Sequence, residues 1–319
     1  MEGIYTSTGL KYVRHMNMIN GLRLGPARPQ SLQISLTNKC NLKCTFCSVA
    51  GRQRDLEWPV ESLKDAIFAF IKCGIGTVEL TGAGEPTLYP YLSDIVTYCK
   101  QFDLKLGLIT NGIRLKNIPR GTLEKFTWIR VSLTTLDYIK ELELPQLENP
   151  VLGFSYIVGQ KEMLFGAAMN TLTKISDYVK QYNPAYVRIV PECFADKERM
   201  PKIHEMWGDI VKHDFGPPFF FQYKTQDQAK YCRLDAVKPW LHTDGYVYPC
   251  NSISLNTDAN RDFTPEYRIC HWTEIEKYYG TRGSGSIPWV KEKCDRCTFC
   301  QNNEILNNLL RPIIHEEFV

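Results

Sequence analysis

Three cysteines, Cys40, Cys44 and Cys47, fall within twelve residues of the chain, in "LTNKCNLKCTFC", at the spacing C-x3-C-x2-C. Thiols set this closely on one segment point to metal binding. A structural zinc site needs four ligands in tetrahedral closure, so three cysteines leave one position unfilled. A [4Fe-4S] cluster held by three thiolates leaves one iron open to an outside ligand, and the spacing favours that chemistry. Nine other cysteines accompany the triad. Cys232, Cys250, Cys270, Cys294, Cys297 and Cys300 crowd the last third, and Cys73, Cys99 and Cys193 stand alone between the groups.

The rest of the composition narrows the setting. With 319 residues the chain can bury a sizeable core, and its formal net charge of +3 neither demands nor excludes a nucleic-acid partner. Its first residues lack the basic start and apolar run of a signal peptide, and no stretch is apolar enough to span a bilayer, so a cytoplasmic location with no membrane partner is expected. Thiols are kept reduced there, which favours metal ligation over disulfides.

Elements that position these residues show in the periodicity. Strand-like runs at 31–36, 77–80, 104–110, 128–133, 151–158 and 185–190 alternate with helical patterns near 60–73, 88–101, 120–126, 135–142 and 166–181. Such alternation predicts a parallel α/β layout, in which ligands collect at the carboxyl ends of the strands. The cysteine triad follows the first strand, "TGAGEP" (81–86) the second, "TNG" (110–112) the third and "PEC" (191–193) the sixth. In "WIRVSL" the period of two sends Arg130 and Ser132 to one face. Arg188 and Glu192 share a face of the last strand, as ligands for cofactor or substrate or as a pair. Cys73 and Cys99 read as core-facing helix thiols. His242 and His271 read as hydrogen-bonded structural residues, and "GPPFFFQYK" (216–224) as a packed strand.

The triad resembles the signature C-x3-C-x-φ-C of the radical SAM superfamily, with Phe46 at the aromatic position. "GAGEP" is similar to that family's loop after the second strand, through Gly82, Gly84 and Glu85. "SYIVGQKE" (155–162) is similar to its adenine motif through Ile157, Gly159 and Glu162, although Ser155 stands where a glycine is expected. The resemblance implies a partial (β/α)6 barrel and a [4Fe-4S] cluster whose open iron chelates S-adenosylmethionine (SAM). It further implies reductive cleavage of SAM to a 5′-deoxyadenosyl radical, chemistry that belongs to the cofactor. Glu85 would then stand near the methionyl ammonium, Ser132 near a ribose hydroxyl and Arg130 near a carboxylate. Asn111 is a further candidate for the cofactor.

The segment from Cys232 through Gly245 to Cys250, C-x12-G-x4-C, resembles the opening of the SPASM and twitch extensions of the same family, which hold auxiliary iron–sulfur clusters. A full SPASM extension has seven cysteines and two clusters, whereas six are found here. One auxiliary [4Fe-4S] cluster on Cys232, Cys250, Cys294 and Cys297 is therefore expected, with Cys300 or Cys270 as alternative ligands and a zinc ribbon as the competing reading. The implied organisation is an N-terminal arm (1–30), a radical SAM partial barrel (31–215), a small α+β twitch-like domain (216–300) and a tail (301–319).

These features imply an enzyme that removes hydrogen from an unactivated carbon of a peptide or small molecule. An oxidation assisted by the auxiliary cluster is expected, with a reductant such as flavodoxin or ferredoxin supplying electrons. Two alternatives are a peptide epimerase with Cys193 as hydrogen donor, and a modifier of a nucleotide or nucleic acid. The thirty or so residues before the first strand are too few for a peptide-recognition domain, which shifts weight toward small molecules or toward a leader peptide bound by a partner protein or the barrel edge.

Overall fold

The computed structural model describes residues 2–6, 9–159, 165–256 and 265–311. Two helices, α1 (Glu2–Tyr5) and α2 (Met16–Leu24), flank a 3-10 helix at Gly9–His15 and precede the first strand. Six strands follow: β1 (Ser31–Ile34), β2 (Thr77–Leu80), β3 (Lys105–Thr110), β4 (Trp128–Ser132), β5 (Val151–Val158) and β6 (Tyr186–Pro191). Each pairs in parallel with the next, in chain order. Helices α3 (Val60–Lys72), α4 (Leu92–Gln101), α5 (Arg120–Leu123) and α6 (Phe165–Tyr182) run between them, and α7 (Met200–Ile210) follows β6.

The helices are held by one apolar stripe each. Helix α3 buries Leu63, Ala66, Ile67 and Phe70, and α4 buries Leu92, Ile95, Val96 and Cys99. These steps of three and four residues put the stripe on one helical face, against the sheet. Cys99 is thus a core thiol, while Cys73 caps α3 half-buried.

The helix expected over 135–142 does not form. A 3-10 turn at Leu133–Asp137 stands there instead, followed by irregular chain. Two tyrosines of α6 explain the difference: the Tyr178 hydroxyl accepts from the Leu142 amide at 2.8 Å and the Tyr182 hydroxyl from the Leu144 amide at 3.1 Å. Leu142 and Leu144 are both buried, at the spacing of two that extended chain requires. Their amides are satisfied from α6, and Pro145 opposes continuation of a helix.

Beyond residue 216 the chain returns to both edges of the same sheet. Strand β7 (Phe219–Phe221) pairs in parallel with β6, and β8 (Trp240–Leu241) in parallel with β1. A hairpin through "TDG", with Gly245 at φ +84°, leads to β9 (Tyr246–Tyr248), and β10 (Cys270–His271) pairs antiparallel with it. The order of the ten strands is therefore β10-β9-β8-β1-β2-β3-β4-β5-β6-β7. Helices α8 (Ile275–Thr281), α9 (Val290–Lys293) and α10 (Cys300–Leu310) follow. Helix α10 meets the N-terminal arm, where Asn302 Nδ2 donates to the Tyr12 hydroxyl and Arg23 Nε to the Leu309 carbonyl.

The sheet is curled. Glu79 on β2 acts electrostatically on Arg130 of β4 and on Arg188 of β6. In a flat sheet β2 and β6 would stand about 19 Å apart, too far for that effect. The face that carries Gln33, Glu79, Arg130, Ser132 and Arg188 is therefore the concave one, as in a partial barrel. No helix among the described residues is long and apolar enough to cross a membrane.

Candidate active site and thiol recess

The loop between β1 and α3 carries Cys40, Cys44 and Cys47, all half-buried. Backbone bonds close its base, with the Asn38 amide donating to the Leu56 carbonyl at 2.8 Å and the Trp58 amide to the Leu36 carbonyl at 3.2 Å. Burial raises the pKa of Cys40, and burial with the neighbouring Cys47 and Cys40 raises that of Cys44 to about 11. The mutual influence shows that the three sulfurs share one neighbourhood. Phe46 is half-buried among them.

The loops after β2 and β3 are clamped to this one. The Glu85 amide donates to the Lys39 carbonyl at 2.8 Å. A Cβ on Gly84 would press into the carbonyls of Thr37 and Lys39, and Gly82 has φ +114° with the Ser35 hydroxyl close on it. Both glycines are therefore required by close approach of backbone. Ser35 Oγ accepts from the Ala83 amide at 3.1 Å and from Trp240 Nε1 at 2.8 Å, tying β1, the GAGEP loop and β8 together. Gly84→Ala is expected to cost about 1–3 kcal/mol, the usual range for overpacking, and to weaken SAM binding. Equilibrium unfolding and SAM titration check it; parent values in both would mean that the loop yields freely.

Glu85 is buried, and its carboxylate accepts from Thr87 N (3.0 Å), Thr87 Oγ1 (2.6 Å), Thr110 Oγ1 (2.6 Å) and the Asn111 amide (2.7 Å). Burial leaves its carboxyl above the usual range in spite of those donors. Its visible work is to hold "TNG" against "GAGEP". Asn111 extends the link, since its Nδ2 donates to Asn41 Oδ1 at 2.7 Å and its carbonyl accepts from Thr135 Oγ1 at 2.8 Å. Three strand-end loops thus form one hydrogen-bonded rim around the triad.

On the concave face Arg130 and Ser132 alternate with the buried Ile129 and Val131. Ser132 pairs in register with Ser155 of β5, which pairs with Arg188 of β6. Glu79 is occupied by Lys238 Nζ (3.0 Å) and Gln33 Nε2 (2.5 Å). Among the described residues Arg130 and Arg188 form no ion pair, although Glu79 acts on both from across the concave face. The Nε of each is buried without a hydrogen-bond partner among the described residues, and Arg188 Nη1 donates to Gln222 Oε1 at 3.0 Å. Burial, and then the like charge of Arg130, lowers Arg188 to about 9. Ile157 stands at the end of β5, its amide donating to Thr134 Oγ1 at 3.1 Å, and Gly159 follows; Glu162 lies outside the described residues. Cys193 follows β6, with burial raising its thiol and its carbonyl accepting from Gln226 Nε2.

A second group of thiols is separate. Cys232, Cys250, Cys294 and Cys297 line one recess, walled also by Leu234, Ile253 and Val290. All four are buried, and burial together with neighbouring thiols holds Cys232 and Cys250 well above the ordinary value and Cys294 at about 12. Cys297 is raised to about 11, by burial first. Neither alternative ligand lines the recess itself: Cys300 Sγ contacts Thr225 Oγ1 at 3.1 Å and acts electrostatically on Cys297, and Cys270 lies in β10 within electrostatic range of Cys73. Among the described residues no three His, Cys, Asp or Glu side chains converge as ligands of a single metal ion. A cubane asks for something else, since each thiolate binds a different iron. Two sulfur-rich neighbourhoods, one with three thiols on a strand-end loop and one with four in an apolar recess, fit two such clusters. His242 is buried against Trp240 and Tyr248 with Nδ1 3.2 Å from Asp244, and His271 meets Thr273 Oγ1 at 2.8 Å.

Several residues of the rim gave no signal in the sequence. Arg52, in "GRQR", is buried and donates to Cys47 Sγ at 3.6 Å. Asn38, Asn41, Ser35 and Thr243 are polar residues whose partners are distant in the chain.

Residues 34–147 match the family model described as Radical SAM superfamily. GTP 3′,8-cyclase of Aquifex aeolicus (strain VF5) is 33% identical over 155 residues, covering 44% of this chain and 47% of that protein. The chain thus spans about half the length of that relative. S-adenosylmethionine-dependent nucleotide dehydratase of Thermoplasmatales archaeon (strain ISO4-H5) is 23% identical over 273 residues, covering 79% of this chain and 94% of that protein. Among solved structures, Streptococcus suis SuiB bound to precursor peptide SuiA matches with a TM-score of 0.56 at 16% identity, over 85% of this chain and 69% of that one. Native anSMEcpe with bound AdoMet and Cp18Cys peptide matches with a TM-score of 0.53 at 14% identity, over 91% of this chain and 85% of that one. These two bear on the fold alone.

Proposed function

From a chain that carries a radical SAM domain over residues 34–147, we propose an enzyme that removes a hydrogen atom from a nucleotide, with a second [4Fe-4S] cluster in the C-terminal recess. The observation that carries it is the excess of positive charge on the concave face, where Arg130, Arg188 and Lys238 share the carboxylate of Glu79 and the Nε atoms of both arginines are buried without a hydrogen-bond partner. Three cations around one carboxylate leave positive charge in excess on a largely desolvated face, which suits the negative charge of an anionic guest. A phosphate-bearing substrate supplies that charge, and an uncharged peptide segment does not. The nucleotide-acting names of the relatives support the same choice over the peptide reading.

Cys40, Cys44 and Cys47 would hold the first cluster, and Cys232, Cys250, Cys294 and Cys297 the second. When bound, the first cluster and SAM supply the electron and the organic radical that attack an unactivated C–H bond. The chain's own residues bind and orient. Glu85, Thr110 and Asn111 keep the rim rigid, so the reacting groups meet at a set distance. Ser132 would present a hydroxyl to the ribose of SAM, and Arg130, on the same strand face, would receive its carboxylate. Arg188 takes a substrate phosphate, with Gln222 fixing the plane of its guanidinium.

Arg188→Gln is expected to weaken binding of a nucleoside triphosphate such as GTP by roughly tenfold to a hundredfold, the worth of one charged hydrogen bond. Binding of the matching nucleoside should be unchanged. Calorimetric titration of the anaerobically purified protein reads both. Equal affinity of parent and variant for the triphosphate would sink the anion-binding assignment.

A further inference from the structure

Arg52 is a buried cation without an acid. It is 6% exposed, and its guanidinium donates to the Asn38 carbonyl (Nε, 2.8 Å), the Val49 carbonyl (Nη1, 2.7 Å) and Cys47 Sγ (Nη1, 3.6 Å). Among the described residues it forms no ion pair. A guanidinium kept from water among neutral acceptors is unfavourable unless an anion completes it. The contact available for that purpose is the sulfur of Cys47.

Its placement is over-determined. Asn38, whose carbonyl receives Arg52 Nε, donates through Nδ2 to the Gln53 carbonyl at 2.8 Å and accepts at Oδ1 from Thr243 Oγ1 at 2.7 Å. Thr243 belongs to the β8–β9 hairpin, so two distant parts of the chain fix where the guanidinium sits. The Tyr138 hydroxyl, beside Cys44, accepts from the Thr45 amide at 3.1 Å and holds the other side of the loop. No step of the function proposed above uses Arg52.

We propose that Arg52 is a positioning residue that raises the reduction potential of the cluster held by Cys40, Cys44 and Cys47, acting through the Cys47 sulfur. The inference rests on the reading that this triad holds the cluster. Reduction adds one electron, delivered by a low-potential one-electron donor, and so adds one negative charge to the cluster and its thiolates. A fixed cation and N–H donor at a ligand sulfur favours the more negative form. Without it the same donor reduces the cluster less completely.

The test is a potentiometric titration of anaerobically reconstituted protein with dithionite, followed by electron paramagnetic resonance. The signal that changes on adding SAM marks the cluster with the open iron. Arg52→Gln is expected to lower that midpoint by about 59 mV or more, a tenfold loss in the equilibrium constant of a one-electron step. Arg52→Lys should lower it less, and the SAM-insensitive cluster should keep its midpoint in both variants. A parent midpoint in Arg52→Gln, or equal shifts of both clusters, overturns the proposal. Loss of the cluster in Arg52→Gln with retention in Arg52→Lys supports it, because charge is what differs; loss in both overturns it. Should Cys40→Ala/Cys44→Ala/Cys47→Ala protein keep the SAM-sensitive signal, the triad reading itself has failed, whatever Arg52 does.

Discussion

Replacing Cys40, Cys44 and Cys47 together by alanine is expected to halve the iron content of anaerobically reconstituted protein, from about eight to about four per chain, with sulfide in parallel. SAM cleavage to 5′-deoxyadenosine should fall to background. The selectivity follows from the separation of the two thiol groups, since the four cysteines of the recess are contributed by other segments and none of them lies on the β1–α3 loop. The chain should stay folded, because the loop is anchored by Asn38, Trp58 and Glu85 rather than by its thiols. Iron and sulfide analysis with circular dichroism checks this. Loss of all iron, or of none, would refute the assignment of two independent sites.

Asp235→Ala is expected to destabilise the fold by about 3–5 kcal/mol, the usual result of stranding one partner of a buried ion pair. Asp235 is fully buried, and its carboxylate accepts from Arg282 Nε (2.6 Å), Arg282 Nη2 (3.0 Å) and the Tyr278 hydroxyl (2.6 Å). Removing it leaves the Arg282 guanidinium shielded and uncompensated at the start of the segment after α8. The double variant Asp235→Leu/Arg282→Met should recover most of the loss, because it removes both charges. Urea unfolding of the three proteins reads the difference. If the single variant costs under about 1 kcal/mol, the pair is relaxed by water and does not lock α8 in place.

Six strands were legible in the sequence because each alternates or runs apolar over a length that only a half-buried or buried strand requires, and their order follows from the parallel α/β pattern. Placement of "GAGEP" and "TNG" beside the cysteine loop follows from the rule that strand-end loops meet. The failure at 135–142 has a definite cause, since Tyr178 and Tyr182 satisfy amides some 36 and 38 positions earlier. No local pattern encodes that. The helices of the N-terminal arm are too short for a readable stripe, whereas α7 went unread although Met200, Ile203, Trp207 and Ile210 recur at steps of three and four. Arg52 escaped because burial of a cation depends on Asn38 and Val49 carbonyls aimed at it, and the sequence records neither direction. Strand β8 is two residues long, so its place beside β1 left no periodicity to read.

The position of β8 also bears on how the molecule is made. Gln33 pairs with Trp240 roughly two hundred residues later. At ribosomal rates of about 5–20 residues per second, the edge of β1 therefore waits on the order of 10–40 s before its second neighbour exists. During that interval β1 offers unpaired amides and carbonyls, and Trp240 Nε1 has not yet reached Ser35. Closing so long a loop is slow, and an open edge in the meantime invites pairing with other nascent chains. Slower growth and chaperone supply during expression should thus raise the yield of folded protein, and a ribosome stalled between β7 and β8 would release a chain whose cysteine loop has no hairpin against it.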